Sequence, residues 1–384
     1  MQSGERVKIT VETPIERTPR IIQLEGIFDI PPEKISRKEW DVNLPLDKQE
    51  WNIGLIVGPS GSGKSTVLRH LFGKSVVAGY DDWPKTKSLI EAFPKALPIK
   101  DLTGLLNAVG FSSPPSWLKP FHVLSNGEQF RVTLARMLAQ SDGLCGMDEF
   151  TSVVDRTVAQ IGSAAVAKAI RQRKTKFVAA SCHYDIVEWL QPDWIYEPHV
   201  NRFQWRSLQR RPPIELEICR VDKAAWQLFR SHHYLSSELN PTSQCFVAFY
   251  KGEAVAFEAV ISFPHPHAPG WRAHRIVTLP DFQGVGIGAR FSDHIASMFK
   301  ALRKRFRLRT SAPGLRAYCW RSPNWHCIQK MAVSSPPNNK GAMKAFGVID
   351  RMAETFEYVG PAMGIAKAQL MWEKRPLQTL SDSI

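Results

Sequence analysis

The chain has 384 residues, a net charge of +14, 43% hydrophobic residues and six cysteines. That length predicts two domains, each large enough to bury its own core. No apolar run approaches the about 20 residues of a membrane-spanning helix, and no secretory h-region or C-x-x-C spacing occurs; a spanning segment and a disulfide scaffold are excluded, and a reduced, cytoplasmic protein is expected.

In chain order, the first strong element is the apolar run Ile53 to Val57, suited to a buried strand. It leads into Gly58-Pro59-Ser60-Gly61-Ser62-Gly63-Lys64-Ser65-Thr66, a complete G-x-x-x-x-G-K-S, and then a helix from Ser65 to Phe72. The glycines let backbone N–H groups face a phosphate. Lys64 is placed to reach the β and γ phosphates of ATP, and the Ser65 hydroxyl to hold Mg²⁺. The helix start adds its positive dipole end.

Leu124 to Leu138 reads LSNGEQFRVTLARML. Ser125-x-x-Glu128 satisfies a capping box, so an ordinary capped helix is one reading. The segment also resembles the signature of ABC-type ATPases, with Asn126 and Glu128 in place of the commoner Gly and Gln. The resemblance implies that Ser125 and Gly127 complete the nucleotide site of a second copy, and hence an ATP-dependent homodimer. Four further positions carry it in family order. Asp148 resembles the carboxylate that helps Ser65 hold Mg²⁺. Glu149 resembles the catalytic carboxylate that orients water. Asp155 falls at the D-loop aspartate, and His183, after the strand-like Phe177 to Ser181, resembles the switch histidine. One departure is clear: no glutamine lies between Lys64 and Leu124. Phe28 and Trp40 are the candidates for stacking on adenine.

The polar, basic stretch Arg206 to Pro213 marks a domain break, so residues 1–208 and 214–384 are expected as separate domains. Beyond it, Cys245 to Phe263 reads as two strands about a Lys251-Gly252-Glu253 turn. His274 to Leu279 reads as another strand. Pro280-Asp281-Phe282-Gln283-Gly284-Val285-Gly286-Ile287-Gly288 follows, and then a helix with Ile287, Phe291, Ile295 and Phe299 at spacing four. Gln283, Gly286 and Gly288 match the Q/R-x-x-G-x-G/A motif of the GNAT acyltransferases, which this half resembles. Such a loop must admit a pyrophosphate onto bare backbone. A Rossmann reading needs the glycines to open the first helix of a βαβ unit, and the preceding hairpin argues against it. The resemblance implies that acetyl-CoA or another acyl-CoA lies along Val277, Leu279, Gln283, Gly284, Val285, Gly286, Ile287 and Gly288. Glu258, His274 and Tyr318 are candidates for the acyl-transfer step, each with a structural reading beside it. His265, His267 and His274 match no metal-site spacing.

The charge divides unevenly, about +4 in residues 1–210 and about +10 in 211–384. Its densest run is Arg303-Lys304-Arg305-Phe306-Arg307-Leu308-Arg309, with Arg316, Trp320, Arg321 and Trp325 nearby. Basic residues among aromatics suit DNA or tRNA; a solvated helix end and a pocket for coenzyme phosphates are the rivals. The expectation is an α/β chain: an ABC-type P-loop ATPase domain followed by a GNAT-like α+β domain, with ATP hydrolysis coupled to N-acyl transfer. Alternatives are a DNA-structure ATPase with a degenerate GNAT module, or a transporter-type ATPase subunit.

Overall fold

The computed structural model describes residues 6–73, 76–77, 83–141, 143–233, 238–265, 267–333 and 351–373. These divide into two compact units: Met1–Asp82 with Gln140–Arg211, and Trp83–Ala139 with Pro212–Ile384.

The first unit is built on a six-stranded sheet in the order Val76–Val77, Leu144–Met147, Lys176–Ser181, Ile53–Val57, Trp194–Glu197, Arg202–Trp205. Ile53–Val57 pairs in parallel on both sides and all five residues are buried; a strand covered on both edges and both faces needs an unbroken apolar run. Gly143 precedes the Leu144–Met147 strand and Gly146 lies within it, without breaking it. The last two strands form an antiparallel hairpin. A separate ribbon, Val7–Pro14 against Ile35–Val42, sends Ile9, Val42 and Trp40 onto the core around Val67 and Leu68. The carboxyl ends of three adjacent parallel strands carry the residues of interest: the glycine-rich loop after Val57, Asp148 after Met147, and His183 just beyond Ser181. Ligands of open α/β sheets bind at that end.

The second unit holds a seven-stranded sheet in the order Trp325–Val333, Arg351–Tyr358, Phe306–Thr310, Gly270–Thr278, Glu253–Phe263, Gln244–Tyr250, Glu217–Val221. The hairpin read from Lys251-Gly252 is present, with φ of 52° and 85° at those residues, as a two-residue primed turn requires. One pair is parallel. Gly270–Thr278 meets Phe306–Thr310 only at Trp271↔Phe306 and Arg272↔Arg307 and then leaves it, so the two strands splay toward Thr278. The helix Ile287–Ala301 buries Ile287, Phe291, Ile295 and Phe299, the four residues that the spacing predicts. Residues 83–139 belong compactly to this unit; helix Ile99–Ala108 lies against helix Pro313–Arg321. Among the described residues no helix is long and apolar enough to cross a membrane.

Candidate functional site

The loop from Gly58 to Lys64 turns through Gly61 and Gly63, at φ of 75° and 91°. Gly63 occupies the N-cap of helix Lys64–Phe72 in the left-handed conformation, which leaves the first helical N–H groups facing the loop. The Lys64 ammonium donates to the Pro59 carbonyl at 2.7 Å, within the loop it is expected to complete. Ser65 Oγ donates to Asp148 Oδ1 at 2.9 Å, bringing together the two residues assigned to Mg²⁺. A hydroxyl beside a buried carboxylate is the hard oxygen pair that this ion takes. Arg69, one turn after Ser65, ion-pairs with the other Asp148 oxygen at 3.1 Å. That residue was missed, although its i+4 spacing from Ser65 puts it on the same helix face. Glu149 is exposed, with φ of 50°, next to Asp148. His183 is half-buried and its backbone N–H donates to Ser181 Oγ. Asp155 caps helix Arg156–Arg173 by accepting from the Val158 N–H at 2.9 Å.

Of the two aromatics considered for adenine, Trp40 lies on the loop. Its indole N–H donates to the Ser62 carbonyl at 3.0 Å, and a Cβ at Gly63 would come within 2.3 Å of the ring. Phe28 ends a helix with no buried residue and is 67% exposed.

In the second unit, helix Asn126–Gln140 starts at the capping box read from sequence. Ser125 Oγ accepts from the Glu128 N–H at 3.3 Å, and Glu128 accepts from the Ser125 N–H at 3.1 Å and from Ser116 Oγ at 2.7 Å. The cap orders the segment that carries Ser125 and Gly127.

The second glycine-rich loop repeats the geometry of the first. Gly284 and Gly286 have φ of 88° and 94°, and Gly286 is the left-handed N-cap of helix Ile287–Ala301. A Cβ at Gly288 would fall 2.7 Å from Thr278 Oγ1. Val277 is buried, and the Leu279 N–H donates to the Val255 carbonyl, which fixes the strand end that leads into the loop. The Gln283 side chain bridges two segments: its Nε2 donates to the Thr278 carbonyl at 2.8 Å, and its Oε1 accepts from the Ser112 N–H at 2.6 Å.

The acyl-transfer candidates sit in three different settings. Glu258 is fully buried, and Ser292 Oγ donates to it at 2.6 Å; burial pushes its carboxyl up to about 8. His274 falls at a bulge, because Ala259 pairs with Arg275 while Val260 pairs with Ala273. It is half-buried, and burial followed by Arg275 and Arg272 pulls its imidazole down to about 4. The Tyr318 hydroxyl donates to Asp293 at 2.5 Å, and burial and that bond push it up to about 12.

The basic run is largely committed elsewhere. Arg305 and Arg307 both pair with Glu357, and Lys304 lies over Trp271 and Trp372. Trp325 is buried and donates to Asp293 at 2.7 Å, so it offers no exposed face to a base. Trp320 is 51% exposed, donates to Glu354 and carries Lys330 over its ring.

Known proteins match different parts of the chain. The model of the acetyltransferase (GNAT) family matches residues 185–318. The ATP-binding protein YdiF of Bacillus subtilis is 32% identical over 121 residues, 26% of this chain and 18% of that protein. The zinc import ATP-binding protein ZnuC of Chromohalobacter salexigens is 31% identical over 136 residues, 30% of this chain and 55% of that protein. This chain thus spans about half the length of ZnuC and less of YdiF. A dimeric bacterial ABC transporter cassette superposes with a TM-score of 0.36 at 18% identity, over 44% of this chain and 90% of that one. The chain therefore carries an N-terminal region similar to ABC-type ATP-binding proteins and a region that matches the GNAT acetyltransferase family model.

Proposed function

We propose that the chain hydrolyses ATP at its N-terminal loop and transfers an acyl group from acetyl-CoA, or another acyl-CoA, to an amine at its C-terminal one. The observation that carries this reading is the pair of helices opened by left-handed glycines, Gly63 and Gly286. One stands beside a serine–aspartate pair, the other beside two splayed strands. In the first, Lys64 and the loop amides bind the phosphates, and Ser65 and Asp148 hold Mg²⁺, which neutralises phosphate charge when bound. Glu149 orients the attacking water and His183 faces the γ-phosphate. Ser125 and Gly127 complete the site of a second copy, so ATP drives homodimerisation. Adding ATP and Mg²⁺ to Glu149→Gln should double the mass seen by light scattering; a variant that stays monomeric, with a wild type that hydrolyses ATP as a monomer, would refute the shared site.

In the second site, the amides from Gly284 to Gly288 receive the coenzyme pyrophosphate, and the thioester lies in the splay beside Val277 and Leu279. The acceptor nitrogen attacks the thioester carbonyl: a C–N bond forms, the C–S bond breaks, the amine proton passes to a base and the coenzyme leaves as a thiol after taking up a proton. Of the three candidates, Glu258 is sealed in the core and the Tyr318 hydroxyl is held by Asp293. His274, half-buried and unprotonated at pH 7, is left as the base, a weak one with its imidazole pulled down to about 4. Exposed Arg303 and Arg309 retain cationic charge for a nucleic-acid acceptor, DNA or tRNA. Incubation with isotopically labelled acetyl-CoA, ATP and either DNA, tRNA or cell protein, followed by mass spectrometry, tests the reaction. Label on nucleic acid supports it in full, label on protein moves the acceptor, and label on none of them overturns acyl transfer.

A further inference from the structure

Arg131 is the sixth residue of helix Asn126–Gln140 and is completely buried. Its guanidinium is aimed at the acyl-carrier loop. Nη2 donates to the Asp281 carbonyl at 2.5 Å, and Nη1 donates to the carbonyls of Gln283 at 3.1 Å and Gly110 at 3.4 Å. Burial pulls it down to about 10, while the nearby Asp281 and Glu128 charges favour its charged form. A buried guanidinium that donates to main-chain carbonyls is sensitive to their position, because a shift leaves its donors unsatisfied.

Two more features tie the same loop to the same segment. Ser112 donates its N–H to the Gln283 side chain. Gly110, at φ of 82°, lies so close that a Cβ would meet Arg131 Nη1 at 2.4 Å and the Gln283 carbonyl at 2.6 Å. Gln283 thus takes one contact on its carbonyl and another on its side chain, both from residues 83–139. Arg131 is also four residues after Gly127, one helical turn and about 6 Å along the axis.

We infer that Arg131 is a positioning residue through which the Ser125–Gly127 segment sets the shape of the Gln283–Gly288 loop, so that nucleotide and acyl-CoA occupancy are coupled. The inference rests on the reading above, in which Ser125 and Gly127 touch nucleotide and the loop binds acyl-CoA. Coupling is reciprocal: whatever ATP does to acyl-CoA affinity, acyl-CoA does to ATP affinity by the same factor.

The test is calorimetry of acetyl-CoA binding to the full chain, with and without a non-hydrolysable ATP analogue and Mg²⁺. Wild type should show an affinity change of about fivefold or more. Arg131→Met should bind both ligands with that change reduced to less than about twofold. Ser112→Pro removes one donor to Gln283 without touching a buried side chain, and it should weaken the change as well; it decides the matter if Arg131→Met does not fold. An undiminished change in the variants would overturn Arg131 as the route. Acetyl-CoA binding to wild type that ignores the analogue would overturn the coupling alone. No acetyl-CoA binding by wild type would overturn the acyl-transfer reading, and the inference with it.

Discussion

The two glycine-rich loops solve nearly the same stereochemical problem with different chemistry around it. Each follows a strand, places two glycines two residues apart at positive φ, and opens a helix on the second of them: Gly61 and Gly63 in one, Gly284 and Gly286 in the other. The N-caps are almost superimposable in backbone angle, φ 91° and ψ 11° against φ 94° and ψ 14°. The surroundings diverge. The first loop has a lysine in it and a buried aspartate against its serine. The second lacks a lysine or arginine between Gln283 and Gly288, and is held from below by Arg131 through its carbonyls. A phosphate cradle alone is therefore not a function. On the proposed reading, the cation and carboxylate suit the first loop to a metal-bound triphosphate that is cleaved, and the second loop grips a pyrophosphate without cleaving it.

The largest separation between the loops should come from Glu149. Glu149→Gln keeps the shape and removes the carboxylate, so phosphate release should fall about 100- to 10,000-fold while ATP still binds. Acetyl-CoA binding should not change. Normal phosphate release by the variant would remove Glu149 from the reaction.

Gly286→Val is the matching change in the other loop. A β-branched residue at φ 94° is strained by roughly 1–3 kcal/mol, and its side chain stands where the anion approaches. Acetyl-CoA affinity should drop about 10- to 100-fold with ATP hydrolysis retained, by titration and phosphate release on one preparation.

A smaller effect distinguishes the carboxylates. Glu258 is pushed from its ordinary 4.5 up to about 8, chiefly by burial, so the folded chain holds a proton that the unfolded chain releases. That contribution to stability is complete below pH 4.5 and is lost as pH rises through about 8. Glu258→Gln stays neutral, so its melting temperature should gain on wild type between pH 5 and pH 8. A constant difference across that range would mean that Glu258 is ionised in the fold.

How much of this was legible in the sequence follows from how local each feature is. Both loops, the capping box at Ser125 and the Lys251-Gly252 turn are written in consecutive residues, and their geometry follows from glycine and hydroxyl chemistry. The spacing-four helix likewise announced its buried face. Arg131 was invisible because its partners, Asp281 and Gln283, are about 150 residues away and are carbonyls, which any residue type supplies. Interleaved aromatics and cations look alike in sequence whether they meet a nucleic acid or a core; Asp293, remote in sequence, holds Trp325 in the core, while Glu357 pairs with Arg305 and Arg307 at the surface. Arg303 and Arg309 carry no ion pair among the described residues. Replacing both with Gln should lower the salt slope of duplex DNA binding by about two, and Arg305→Gln should change it less. Equal effects would mean that the pairs with Glu357 open on binding.

On the proposed reading, one chain carries two separate phosphate cradles, one for ATP and one for acyl-CoA. Calorimetric titration of both ligands onto wild type, Lys64→Ala and Gly286→Val tests it most directly. Both ligands should bind wild type without displacing each other, Lys64→Ala should lose ATP and keep acetyl-CoA, and Gly286→Val should do the reverse. Mutual displacement in wild type, or loss of acetyl-CoA on changing Lys64, would contradict it.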